Sequence, residues 1–180
     1  MRINRIYREG MHLLRALSAA CVAVFSTVVP GQAVVLGGPL LRDGLEIVPS
    51  ALSGVELDRT VNRGAEAFFL VADIHAAKDE PHGFPEHAFI PYLSVSYALT
   101  KDDAPTFKKS GLLYPVATKQ GPHYAAAAEL AGPGTYHLTY IISPPSAHGM
   151  LRRTDKADGV PEWWKPINAS WTFSYPQNTK

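Results

Sequence analysis

Turn-forming residues divide this chain into short apolar runs, and this spacing limits the folds it can adopt. The chain has 15 prolines and 14 glycines among 180 residues, and they are spread along it. After the first 33 residues, no stretch shows sustained helical periodicity. Seven runs remain as candidate strands: Leu45–Val48, Phe68–His75, Phe89–Leu99, Leu112–Ala117, Tyr124–Leu130, Tyr136–Ile142 and Ala169–Tyr175. About seven short strands at this spacing predict an all-β fold, an antiparallel β-sandwich.

Alternation within these runs supports the same fold. Between Tyr136 and Ile142, the large apolar residues Tyr136, Leu138, Tyr140 and Ile142 fall on one face. Between Ser170 and Tyr175, aromatic residues alternate with small polar ones. Side chains of a strand leave alternate faces, so one face of each strand is predicted to enter the core.

The apolar stretch Phe68–Ala76 is the best candidate for a buried strand with a polar end. Asp73 and His75 are two residues apart and are therefore predicted to leave the same face of it. His123 lies at the edge of another candidate core strand. Because imidazole is a common ligand for copper, zinc and iron, these two strands are the predicted location of any metal chemistry.

The N-terminus has the organisation of a targeting segment. Four arginines precede the uncharged apolar run Ala16–Val29, which is too short to span a bilayer comfortably. Pro30 ends that run, and small residues up to Ala33 suit a signal peptidase. We predict that residues 1–33 are a signal peptide, starting at Met1 or Met11, and that residues 34–180 form one exported domain. A membrane anchor is the alternative interpretation.

Composition indicates a packed periplasmic domain. The chain is 46% hydrophobic and 18% charged, with a formal charge of +1. Loss of residues 1–33 removes four arginines and one glutamate, which leaves 13 basic and 15 acidic residues and a formal charge of −2. Such a balance argues against nucleic acid as a partner. Cleavage also removes Cys21, the single cysteine, so no disulfide is possible in the exported domain.

Neither a nucleophile elbow nor a phosphate-binding glycine loop is present, and we predict that the chain is not an enzyme.

His82 and His87 lie in a loop rich in Gly and Pro, and we expect them to be solvated. His137 is expected to point to solvent because it alternates away from the aromatic face. The pair Trp163-Trp164 lies in the longest connection, residues 146–166, and is predicted to plug the sandwich, with a binding platform as the alternative.

Several short motifs together resemble a known family. They are, in order, Ala72-Asp73-Ile74-His75-Ala76, Gly83-Phe84, Phe89-Ile90-Pro91-Tyr92-Leu93, Gly121-Pro122-His123-Tyr124, Thr139-Tyr140, Arg152 with Thr154-Asp155, Gly159-Val160 and Trp163-Trp164. In this order and spacing they resemble the bacterial periplasmic iron-transport accessory family, from about Gly38 to Tyr175. The resemblance implies an immunoglobulin-like β-sandwich of about seven strands, a homodimer, copper or iron binding, and delivery of iron toward an inner-membrane permease.

The ligand positions that the resemblance implies are mostly changed in this chain. Where the family has His, Glu, Met and a second His, this chain has Phe69, Val71, Val116 and Arg153. Only His123 matches a ligand, and His75 and Asp73 are the further candidate donors. Phe and Val offer no lone pair, and Arg is a fixed cation that repels a metal. The sequence therefore predicts a degenerate site that binds copper or iron weakly or not at all.

Two functions follow as hypotheses. The first is a periplasmic metal-binding protein of iron transport with a degenerate site. The second is a binding module without metal, which partners a permease or a metal-competent paralogue through the sandwich edge or the connection that carries Arg152 and Trp164.

Overall fold

The computed structural model describes residues 33–58 and 68–176. The predicted signal peptide and Cys21 therefore lie outside the described residues, apart from Ala33 at the predicted cleavage site. No helix within the two described ranges is long and apolar enough to cross a membrane.

Nine strands and one short 3-10 turn make up the regular structure of the described residues. The strands are β1 (Val34–Val35), β2 (Leu40–Arg42), β3 (Leu45–Leu52), β4 (Phe68–Ala76), β5 (Ser94–Lys101), β6 (Lys108–Thr118), β7 (Gly121–Ala128), β8 (Gly134–Ser143) and β9 (Ile167–Tyr175). The 3-10 turn covers Pro145–His148, directly after β8.

All strand pairs are antiparallel, in the order β1-β3-β4-β7-β6-β5-β8-β9, with β2 also paired to β3. Strand β6 connects the two layers because its two halves have different partners. Residues Lys108–Leu113 pair with β5, whereas Tyr114–Thr118 pair with β7. One long strand thus passes from the layer of β3, β4 and β7 into the layer of β5, β8 and β9.

Side chains from both layers meet in one core. The ring of Phe68 on β4 stacks on that of Phe173 on β9, with 5.9 Å between centroids. The hydroxyl of Tyr140 on β8 donates to the backbone oxygen of Val71 on β4 at 3.1 Å. Tyr140 is fully buried, and Phe173 is 4% exposed. The expected antiparallel β-sandwich is confirmed, and its faces alternate as the sequence predicts.

The structure corrects the strand predictions at three places. β1 and β2 were missed because runs of two and three residues carry too little alternation to be recognised. The run Phe89–Leu99 is only partly a strand, since β5 begins at Ser94. The residues before it form a turn, which the buried hydroxyl of Tyr124 holds by donating to Ile90 O (2.9 Å) and accepting from Leu93 N–H (3.1 Å).

Candidate metal centre

Strand β4 presents two different faces. Leu70, Ala72 and Ile74 belong to the core between the layers. The intervening residues therefore face outward, and they are Phe69, Val71, Asp73 and His75. These four include two candidate donors and two of the changed ligand positions, so this outer face of β4 is where the predicted site residues gather.

His123 lies on the same outer face, on the neighbouring strand β7. Ala72 pairs with Tyr124, so the next register position sets Asp73 beside His123. On the other side, Val116 of β6 pairs directly with His123. The imidazole is thus flanked by one carboxylate and one hydrocarbon side chain, and the two strands that the sequence indicated for metal chemistry are hydrogen-bonded neighbours.

Val71 and Phe69 lie further along the same face. Val71 pairs with Ala125 and Phe69 with Ala127, which are two and four residues from His123 on β7. At roughly 3.3 Å per residue, these are displacements of about 7 and 13 Å along the strand. Both side chains are buried although they lie outside the main core, with 2% exposure for Val71 and 7% for Phe69. Hydrocarbon therefore fills this part of the face.

The remaining two predicted site residues have other neighbours. His75 pairs across the sheet with Glu46 and forms an isolated bridge with Phe89. Arg153 lies in the long connection, where its Nε donates to Asp155 at 2.9 Å and its guanidinium also pairs with Asp158. The hydrogen bonds and ion pairs of Arg153 among the described residues go to Asp155 and Asp158 and not to His123.

The protonation state of His123 favours metal binding by this one residue. Burial lowers the pKa of His123 from its ordinary value of 6.5, and the Asp73 carboxylate partly offsets that effect. The imidazole is therefore neutral at neutral pH, which is the form that binds a metal. The nearby carboxylate would add a second donor with negative charge.

The lowered pKa of His123 predicts a dependence of stability on pH. The unfolded chain, with a His pKa of about 6.5, binds this proton more readily than the folded chain, so stability falls as the pH drops through 6.5 toward the lower folded pKa. The melting temperature of the unaltered chain should fall between about pH 7.5 and about pH 5, and the melting temperature of His123→Gln should fall less over the same range. His87→Gln, at an exposed position, is the control. An unchanged acid sensitivity in His123→Gln would contradict the assigned cause.

The donor set does not suit a tightly bound copper or iron ion. Copper sites require several imidazole, thioether or carboxylate donors, and here His123 has Asp73 beside it and Val116 on its other side. Within residues 33–58 and 68–176, no group of three or more His, Cys, Asp or Glu side chains is arranged to hold a metal ion. These residues fit at most a weak, open site.

The prediction that His82 is solvated is wrong. Its side chain is only 4% exposed, and its Nδ1 lies 2.6 Å from the Glu80 carboxylate. The ring also stacks on Trp163, far along the chain, with 4.8 Å between centroids. Nothing local in the Gly-Pro loop signals this, because the covering residues come from the long connection. His87 is exposed as expected, and His137 is exposed with its Nδ1 3.0 Å from Thr172 Oγ1.

The family assignment follows from comparison with known sequences. The family described as "Fe2+ transport protein" matches residues 32–177. The chain belongs to this family. A UPF0423 protein of Brucella abortus is 40% identical over 146 residues, which cover 78% of this chain and 80% of the relative. The 34 kDa membrane antigen of Treponema pallidum is 34% identical over 106 residues, or 56% of this chain and 50% of the antigen.

The solved structures of FetP and P19 are similar to this chain in fold. FetP of uropathogenic E. coli is similar with a TM-score of 0.76 and 37% identity, covering 81% of this chain and 97% of FetP. Copper-reconstituted P19 of Campylobacter jejuni gives a TM-score of 0.77 and 35% identity, covering 83% of this chain and all of P19. A variant of FetP in its copper-bound form is similar at 36% identity and a TM-score of 0.77, covering 81% of this chain and 99% of that one. The resemblance that the motifs indicated is confirmed.

Proposed function

We propose that this chain is a periplasmic metal-binding protein of iron transport whose metal site is degenerate. The observation that carries the proposal is the setting of His123, a neutral imidazole with Asp73 beside it and Val116 opposite it. The match to the Fe2+ transport family supports a role in iron transport, and the copper-bound forms of FetP and P19 support copper as a metal that such a site binds. A site of this composition binds one copper or iron ion weakly, through His123 and Asp73.

The compartment and partners belong to the same proposal. The basic, then apolar N-terminus supports export to the periplasm. The family resemblance supports a homodimer, and an inner-membrane iron permease as the recipient of the metal. A near-neutral charge supports the absence of a nucleic-acid partner. That the chain is not an enzyme stays a prediction.

Isothermal titration of the exported protein with Cu2+, Fe2+ and Mn2+ tests the proposal. We expect one weak site for copper or iron, with a dissociation constant in the micromolar range or above, and a light-scattering mass of a dimer. His123→Ala should abolish the heat of binding. His137→Ala is the matched control, because that imidazole is exposed on β8 and belongs to a different layer. Absence of heat with metal titrated into the millimolar range, or equal binding by His123→Ala, would overturn the proposal.

A second candidate function is a docking module that carries no metal. The burial of Phe69 and Val71 favours it, since hydrocarbon now occupies two of the positions where the family has donors. Such a module would partner a permease or a metal-competent paralogue. Deletion of the connection at residues 151–160, followed by pull-down from periplasm, separates the two functions. Partners that are retained after the deletion would count against docking through this connection.

A further inference from the structure

Glu80 and His82 form a buried pair that the metal site does not use. Oε2 of Glu80 accepts the backbone N–H groups of His82 (2.8 Å) and Phe84 (3.0 Å), while Oε1 lies 2.6 Å from Nδ1 of His82. The two side chains are only 1% and 4% exposed. A buried carboxylate with three hydrogen-bond donors is fully satisfied. Glu80 therefore holds the imidazole in one fixed orientation.

The other side of that imidazole is bound to a distant part of the chain. Nε2 of His82 lies 3.1 Å from the backbone oxygen of Glu162. The ring stacks on Trp163 at 16° and meets Trp164 edge-on at 5.2 Å between centroids. One side chain thus joins the loop between β4 and β5 to the connection between β8 and β9.

That connection is braced internally. Gly159 N–H donates to Asp155 O at 2.9 Å, Val160 N–H to Arg153 O at 3.0 Å, and an Arg152 guanidinium nitrogen to Val160 O at 3.2 Å. The guanidinium of Arg153 pairs with the carboxylates of Asp155 and Asp158. Backbone atoms approach so closely at Gly159 that a Cβ would lie 2.4 Å from Asp155 O. These contacts hold residues 152–160 to one another.

Two backbone hydrogen bonds tie the start of this segment to the 3-10 turn, from Gly149 N–H to Ser146 O (3.1 Å) and from Met150 N–H to Pro145 O (3.2 Å). Gly149 adopts a positive φ of 82°, and nothing lies within 4 Å of where its Cβ would be. Leu151 is 90% exposed. At the other end, Trp164 is 9% exposed and belongs to the hydrophobic core, although its buried Nε1–H has no hydrogen-bond partner among the described residues. Trp164 therefore anchors the end of the connection, and the part that could move lies before it.

We propose that Glu80 and His82 are a clasp that holds residues 150–163, the lid segment, closed, and that the segment moves away from the loop between β4 and β5 when the clasp is broken. Opening separates Trp163 from the imidazole and exposes its indole, while Trp164 stays in the core. The contact energy of the clasp, rather than the internal bracing, sets how often the segment opens. This device lies outside the proposed metal site and does not depend on metal binding.

Limited proteolysis with trypsin tests the clasp, because Arg152, Arg153 and Lys156 place three cleavage sites in the lid segment. His82→Gln removes the ring and its stacking on Trp163. Loss of a hydrogen bond to a charged group changes such an equilibrium by about tenfold or more, so cleavage in the segment should accelerate by about that factor. His87→Gln, five positions away and exposed, should cleave at the rate of the unaltered chain.

Hydrogen exchange distinguishes a clasp, whose loss exposes only the lid segment, from a contact that stabilises the whole domain. We expect faster amide exchange at residues 150–163 in His82→Gln, with exchange in β5 and β8 unchanged, and a red shift of tryptophan emission. If His82→Gln fails to fold, Trp163→Leu breaks the same contact from the lid side and should give the same localised pattern. Equal acceleration in the segment and in both strands, or no change in either, would overturn the proposal.

Discussion

Introducing Phe69→His, Val71→Glu and Val116→Met together should increase the affinity for Cu2+ by about 100-fold or more. The unaltered chain offers His123 and Asp73 on this face, and the three changes add a carboxylate and a thioether near them and an imidazole further along the same face. Removal of even an outer-shell partner alters metal affinity by about 10–100-fold, so three direct donors should exceed that range together. Isothermal titration, or competition with a chelator at tighter binding, measures the gain.

The same triple variant should become less stable without metal and recover when copper is added. Val71 is 2% exposed, so Val71→Glu buries a carboxylate that has no built partner. A bound copper ion would supply that partner, and a ligand that binds only the folded state raises its melting temperature. Adding His123→Ala to the triple variant is the control, and it should remove most of the gain in affinity. A triple variant that binds copper no better than the unaltered chain would show that this face is not the inherited site.

Phe173→Ala should lower the free energy of unfolding by about 3–5 kcal/mol, the usual cost of deleting a buried aromatic side chain. Phe173 is 4% exposed and stacks on Tyr136 at 5.4 Å and on Phe68 at 5.9 Å. It therefore joins β9 both to its neighbour β8 and to β4 in the opposite layer. Urea unfolding followed by circular dichroism measures the change.

Two further variants test whether the loss of unfolding free energy in Phe173→Ala comes from lost core packing. Phe173→Leu keeps most of the apolar volume and should lose clearly less than Phe173→Ala. Leu151→Ala is the surface control, because that side chain is 90% exposed, and it should stay within about 0.5 kcal/mol of the unaltered chain. A loss below about 1 kcal/mol in Phe173→Ala would contradict the packing of the two layers through this ring.

The sequence predicted the parts of the fold that alternation controls. The pattern from Tyr136 to Ile142 identified β8, and the buried run from Phe68 identified β4, because each strand is long enough to show two distinct faces. Strands β1 and β2 have two and three residues, and their pairing with β3 depends on tertiary contacts. The turn at residues 89–93 has strand-like composition, but the hydroxyl of Tyr124 holds it out of the sheet.

The site could be predicted only as far as neighbouring strands could be inferred. Asp73 and His75 share a face because they are two residues apart, which a single strand determines. The position of Asp73 beside His123 depends on the register between β4 and β7, which residue patterns within either strand do not specify. The burial of His82 was missed for a related reason, since the residues that cover it are distant in sequence: the Glu162 carbonyl comes from 80 residues away, and Trp163 follows it.

The side chain of Tyr124 has a consequence for the residue that precedes it. Its ring enters the core and stacks on Phe89, and its hydroxyl bonds both ends of the turn between β4 and β5. The backbone that carries His123 is thereby anchored from the inner side of the sheet, so an arriving ion would meet an imidazole mounted on a rigid base. The scaffold at this position is already in place, so engineering would need to change only the number of donors around the imidazole.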